Sequence, residues 1–265
     1  MDRLGEARKD VEAAIAVWGE LIPERMGDRV SYATLKGSVL KSWDGLVDYV
    51  PVISDLDIHI GTVNHQPLFP RDQEGFKYAL ETTKYYEERF IEHRPGHIHI
   101  PRPQIVIVEP QLEIMLPESE DEVIVLYGEI PLRDEESESN CQRRDLASLM
   151  GLKPLLDRLP ERIIDRIGLE YYRIIRELCW NVSPTPVRVL SQFTDSKKAW
   201  KMNRTSIIGG LEAVGLTDLA TVYRSYYIKG WEAFETGFTD NVVMRELIAL
   251  AYDVLWRSYE LAKSL

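Results

Sequence analysis

Cysteine is almost missing from this chain, with only Cys141 and Cys179 in 265 residues. They stand in no C-x-x-C pair, so neither a disulfide framework nor a zinc-ligand spacing can be built. No apolar run is long enough to cross a bilayer, and a membrane partner is therefore not expected. The opening residues, MDRLGEARKDVEAA, are charged and read as a helix, without the apolar centre of a secretory leader. A reducing cytoplasm is the expected location. Positive charge is also scarce. Lys and Arg total 32 against 43 Asp and Glu, a formal net charge of −11, and no basic stripe with interleaved aromatics offsets it. Such a surface repels a phosphate backbone and argues against a nucleic-acid partner. It still admits a nucleoside triphosphate if Mg²⁺ and a few local cations neutralise the phosphates, and it would draw a cationic small molecule.

What is present is the composition of a globular protein, 45% hydrophobic and 28% charged, with enough length for two cores. Residues 3–21 read as an amphipathic helix on Val11, Ala14, Ile15, Trp18 and Leu21, ended by Pro23. Strands are expected at 29–35 and 52–62, then a helix at 74–93 with Phe76, Leu80, Tyr85 and Ile91 as its buried stripe. Two or three further strands are read in HIHIPRPQIVIVEPQLEIML and EVIVLYGEIPL, where β-branched residues are dense. The charged run 133–140 reads as a linker. Beyond it, helices are expected at 144–152, 160–182, 186–192, 197–213, 216–235 and 241–265, punctuated by Gly and Pro. Strands mixed with helices and then helices alone predict an α+β protein. Its parts are a mixed-sheet domain over 1–135 and an all-α helical bundle over 141–265.

The richest stretch is LKGSVLKSWDGLVDYVPVISDLDIHI, from Leu35 to Ile60. Asp55 and Asp57 lie two apart in an expected strand, so their carboxylates should share a face. Paired carboxylates repel unless a cation sits between them, and Mg²⁺ suits such a pair because it accepts one or two carboxylates plus water and phosphate. Alone, a D-x-D is also what a turn followed by a solvated strand residue looks like. Upstream, Gly37 lets the backbone approach a phosphate, and Ser38 offers a hydroxyl and an amide. His59 shares the parity of the two acids, but imidazole is a poor Mg²⁺ ligand. His97 and His99 alternate without a third ligand and read as structural, and Trp180 and Trp200 read as core anchors.

Strand, Gly-Ser, spacer and a second strand with D-x-D resembles the nucleotidyltransferase superfamily to which DNA polymerase β belongs, at Gly37, Ser38, Asp55 and Asp57. The two-domain layout most resembles aminoglycoside adenylyltransferases of the streptomycin/spectinomycin type. The resemblance implies that Asp55 and Asp57 hold metal, two Mg²⁺ ions in all, and that Gly37 and Ser38 grip the triphosphate. It also implies that a nucleoside monophosphate, AMP from ATP, moves to a small hydroxylated acceptor. The family's third acid, which deprotonates the acceptor, falls on Gln104 of QIVIV, with LYGE (Leu126 to Glu129) following. Glu109 is the nearest replacement and is assigned the catalytic base, with Glu113 behind it; the alternative is activation of the acceptor by the metal alone, with only Asp55 and Asp57 as ligands. The family's Lys-bearing helix resembles SKKAWKMNR, which makes Lys197, Lys198 and Lys201 phosphate ligands and adds Arg204 as a further candidate. Two other readings stay open: a nucleotide-binding or regulatory protein of this fold that has lost turnover, which Gln104 favours, and an enzyme that modifies a protein or tRNA.

Overall fold

The computed structural model describes residues 2–108, 123–131 and 137–265. Contacts divide the chain into two compact units. The first comprises residues 1–40 and 55–135, the second 41–54 and 136–265. The class is α+β, but the split is not a single cut in the chain. Residues 41–54, between the first two strands in sequence, are counted with the helical unit.

The first unit opens with α1 (Arg3–Leu21), capped by the Asp2 carboxylate on the Gly5 amide at 3.0 Å. Pro23 does not stop the chain from coiling at once, because a short π-helical turn, Ile22–Met26, follows before β1 (Val30–Lys36). Next come β2 (Leu56–Thr62), α2 (Gln73–His93), β3 (Pro103–Ile107) and β4 (Ile124–Gly128). The sheet order is β3-β2-β1-β4, with β1 antiparallel to β2 and β4, and β2 parallel to β3. A parallel pair needs a crossover, which α2 supplies. Ala33, Leu35, Leu56, Ile58 and Ile60 form a buried apolar face, each 1% exposed or less.

The expected buried stripe of α2 is not the one observed. Phe76 (65% exposed), Leu80 and Ile91 face outward, while Gly75, Thr82, Tyr86 and Phe90 are buried. The buried series still has helical spacing, but glycine and threonine occupy half of it, and hydrophobicity alone selected the wrong face. HIHI is not a strand. Asp10, wholly buried on α1, accepts from the amides of Ile98 (2.9 Å) and His99 (3.1 Å), from Nδ1 of His99 (3.0 Å) and from Nε of Arg94 (3.0 Å). Those bonds anchor the segment that leads into β3. Burial pushes the Asp10 carboxyl up, but the bonds from His99 and the two amides outweigh it and hold it below the ordinary carboxylate range.

The second unit contains α3 (Glu138–Met150), α4 (Lys153–Ile164), α5 (Glu170–Val182), α6 (Thr185–Leu190), α7 (Ser196–Lys201), α8 (Arg204–Ala213), α9 (Thr217–Glu235) and α10 (Asn241–Ala262). The single helix expected over 160–182 is two, broken at 165–169 where Gly168 has φ 60°. Pro160 lies inside α4 instead of opening a helix. The helix expected over 197–213 also breaks in two, because Met202 is extended and Asn203 caps α8 by accepting from the Ser206 amide at 2.8 Å. Trp180 is 49% exposed and anchors no core. Trp200 instead donates through Nε1 to buried Asp145 at 2.9 Å.

Residues 41–54 are tied into this unit by polar contacts. Lys41 Nζ donates to the carbonyls of Trp200 (2.6 Å) and Met202 (2.7 Å). The Asp48 carboxylate, 1% exposed, accepts from the amides of Asp44, Gly45 and Thr205 and from the Thr205 hydroxyl, all within 2.9 Å. Trp231 Nε1 donates to the carbonyls of Leu46 (2.8 Å) and Tyr49 (3.1 Å).

Candidate active site

Strand register gathers the polar residues of the first unit on one face. Lys36 of β1 is paired with Asp57 of β2, and Asp57 in turn with Gln104 of β3. Residues directly paired across strands project to the same side, so Lys36, Asp57 and Gln104 form a row across three strands. One step along, Thr34 pairs with His59. His59 is 6% exposed, and burial, with the nearby Lys36 charge, pushes its pKa down to about 3, so its ring is neutral.

Asp55 is not in the strand, which begins at Leu56. The same parallel register nevertheless continues one step before the ladder. The Leu56 amide donates to the Arg102 carbonyl at 2.9 Å, which sets Asp55 beside Arg102 as Asp57 is set beside Gln104. Their side chains meet in a forked ion pair. Arg102 Nε is 3.1 Å from Asp55 Oδ1, and Nη2 is 2.7 Å from Oδ2. Such a fork matches the planar carboxylate and gives short charge-assisted bonds. The Asp55 side chain is 5% exposed and that of Arg102 39%.

Gly37 follows the end of β1 with φ 86°, in the left-handed region that glycine enters at little cost. A Cβ built there would lie 2.5 Å from Asp57 Oδ2. Two constraints thus select glycine at this position, its dihedral and the carboxylate seated against its Cα. Ser38 begins a single 3₁₀ turn (Ser38–Leu40), closed by the Leu40 amide on the Gly37 carbonyl at 3.2 Å. Gly37, Ser38, Asp55 and Asp57 all belong to the first unit, and register and the glycine turn bring Gly37 to Asp57.

Glu109 and Glu113 fall outside the described residues. Lys197, Lys198 and Lys201 are exposed on α7, whose buried residues are Ser196 and Ala199. Arg204 is not exposed as a phosphate ligand needs to be. Only 6% of it is accessible, its Nη1 donates to the carbonyls of Val47 (3.2 Å) and Asp48 (2.9 Å) and to Ser54 Oγ (3.0 Å), and it lies 4.1 Å over the Tyr227 ring. Burial alone would lower its pKa, but the surrounding tyrosines and Asp48 hold it raised. Arg176 also serves the 41–54 segment, donating through Nη1 to the carbonyls of Val52 and Ile53. Val52 has φ 70°, a strained setting for a β-branched residue, and its bonded carbonyl shows what holds it there.

Sequence reading missed Arg102 as a partner of Asp55. The signal lay in parity: Arg102 precedes Gln104 by two residues, as Asp55 precedes Asp57. Among the described residues, no three His, Cys, Asp or Glu side chains gather as metal ligands. The chain matches no family model, no curated protein and no solved structure.

Proposed function

We propose that the first unit is the catalytic domain of an Mg²⁺-dependent nucleotidyltransferase that transfers a nucleoside monophosphate, AMP from ATP, to a small hydroxylated acceptor. The observation that carries this reading is the seat of Asp57 against Gly37. A carboxylate and a bare, left-handed backbone turn come together where β1 ends, which is the pairing of metal ligand and phosphate-approach loop that the chemistry needs. The donor set suits Mg²⁺, which tolerates one or two carboxylates because phosphates and waters complete its octahedron. Asp55 and Asp57 would hold it and Ser38 would contact the triphosphate. The bound metal would supply Lewis-acid stabilisation of charge on the transferring phosphoryl group.

One specific observation favours a second reading, a nucleotide-binding protein without turnover. The residue paired with Asp57 on β3 is Gln104, an amide that takes no proton at neutral pH, and Asp55 is already held by a cation. Labelled ATP with Mg²⁺ and a panel of hydroxylated small molecules, cell-extract protein and RNA separates these outcomes. The proposal expects pyrophosphate release with label on a small molecule, lost in Asp57→Asn. Tight Mg²⁺–ATP binding without pyrophosphate supports the second reading, label on protein or RNA changes the acceptor class, and no nucleotide binding at all overturns both.

A further inference from the structure

The apolar face of the sheet is sealed over β2 but not over β3. Leu56, Ile58 and Ile60 are wholly buried, while Ile105, paired with Ile58 and so on the same face, is 36% exposed. A cavity of about 350 Å³ lies there, walled by Trp18 of α1, by Ala79, Thr82 and Tyr86 of α2, and by Phe69 and Ile105. Its wall holds an unspent donor: Trp18 is 5% exposed, and its Nε1 has no hydrogen-bond partner. We propose that this cavity binds a small neutral aromatic molecule whose single carbonyl oxygen accepts from Trp18 Nε1.

Size, charge and the supply of donors narrow the ligand. The volume lies at the lower end of the range of about 300–1,000 Å³ found for small-molecule pockets. The rings of Trp18, Phe69 and Tyr86 favour a flat aromatic body against them. No charge on the ligand would be matched. Arg102, the one cation among the described residues of the wall, is forked to Asp55 on the side of the sheet away from Ile105. Glu87, the one acid among them, is exposed, where an ion pair contributes little.

The hydroxyl protons of the described wall are already given away. Tyr86 donates to the Pro101 carbonyl at 2.5 Å, Thr82 to the Tyr78 carbonyl at 2.8 Å and Thr83 to the Ala79 carbonyl at 3.1 Å. Burial pushes the Tyr86 pKa up and the nearby Trp18 indole lowers it in part, yet no hydrogen bond joins the two side chains. Among the uncharged side chains there, the proton left to give is that of Trp18 Nε1, a group that donates only. A buried N–H without an acceptor is costly, and a carbonyl on the ligand removes that cost. Asp57 and Gln104 occupy the opposite parity in the sheet, so this site does not rest on the nucleotidyl-transfer reading.

Nuclear magnetic resonance of the nitrogen-15-labelled full chain tests the site with two probes of one shape, acetophenone and α-methylstyrene, which has a methylene in place of the carbonyl oxygen. The chain has six tryptophans, and the indole resonance missing from Trp18→Phe identifies Trp18. Should that variant fail to fold, through-space signals to Tyr86, whose ring centroid is 5.2 Å away, identify it instead. The Trp18 indole proton should move downfield, saturably, with the ketone and much less with the styrene. Trp18→Phe should lower the ratio of ketone to styrene affinity about tenfold, a ratio in which the different hydration of the probes cancels. Ala79→Phe, made at a half-buried position of the wall, should fill the cavity and abolish binding of both probes with unchanged circular dichroism. No saturable binding of the ketone, an unmoved Trp18 resonance at saturation, an unchanged ratio in Trp18→Phe, or full binding by Ala79→Phe overturns the proposal. Because ATP and Mg²⁺ are absent from these titrations, they can fail while nucleotidyl transfer stands, and the reverse.

Discussion

Two arginines show how differently the units use a positive charge. Arg204, in the helical unit, is 6% exposed, is bonded to two carbonyls and a hydroxyl, and lies over Tyr227. Arg102, in the sheet unit, meets one carboxylate through a fork and keeps 39% of its side chain accessible. Arg204 is fixed by several neutral partners at once. Arg102 is paired with a charged group and keeps part of its side chain open to solvent. The lesson is that Arg204 is an architectural residue for the 41–54 segment, whereas Arg102 ties the residue before β2 to the residue before β3 at the solvent's edge.

The largest effect expected from this contrast is that of Arg204→Met. It strands the Val47 and Asp48 carbonyls, and should cost about 3–5 kcal/mol in a denaturant titration. Arg102→Met should cost less, about 1–2 kcal/mol, because water reaches that side of the pair and compensates Asp55 in part. Equal losses would break the comparison. A smaller, pH-dependent effect sharpens it with a buried carboxylate, Asp10. Its folded pKa is depressed, so its contribution is present above the unfolded carboxyl value and is lost as pH falls through the lower folded value. The stability gap between wild type and Asp10→Asn should be full at pH 7 and shrink below about pH 4. A gap that is constant over that range would show that Asp10 acts through shape alone.

Local spacing made part of this molecule legible. Gly37, Asp55 and Asp57 stand out because glycine freedom and strand parity are properties of adjacent residues. β1, β2 and the helix at Arg3–Leu21 were readable from β-branched density and helical periodicity. Long-range pairing was not readable. The Arg102–Asp55 fork depends on which strand lies beside β2, and 47 residues separate the partners. The stretch from Val39 to Ser54 reads in sequence as a spacer, because Ser42, Asp48 and Ser54 look like ordinary loop residues until Asn203, Thr205 and Arg204 meet them. In α2, periodicity located the helix but not its buried face, since Thr82 and Gly75 are buried where Phe76 and Leu80 are not.

The central claim, that Asp57 against the Gly37 turn forms a metal–triphosphate site, is tested most directly by Mn²⁺ binding. Electron paramagnetic resonance titration of the purified chain with Mn²⁺ in the presence of ATP should show saturable binding, and Asp57→Asn should weaken it at least about tenfold with the fold intact. Equal Mn²⁺ binding by the two proteins, or none by the wild type, would contradict it.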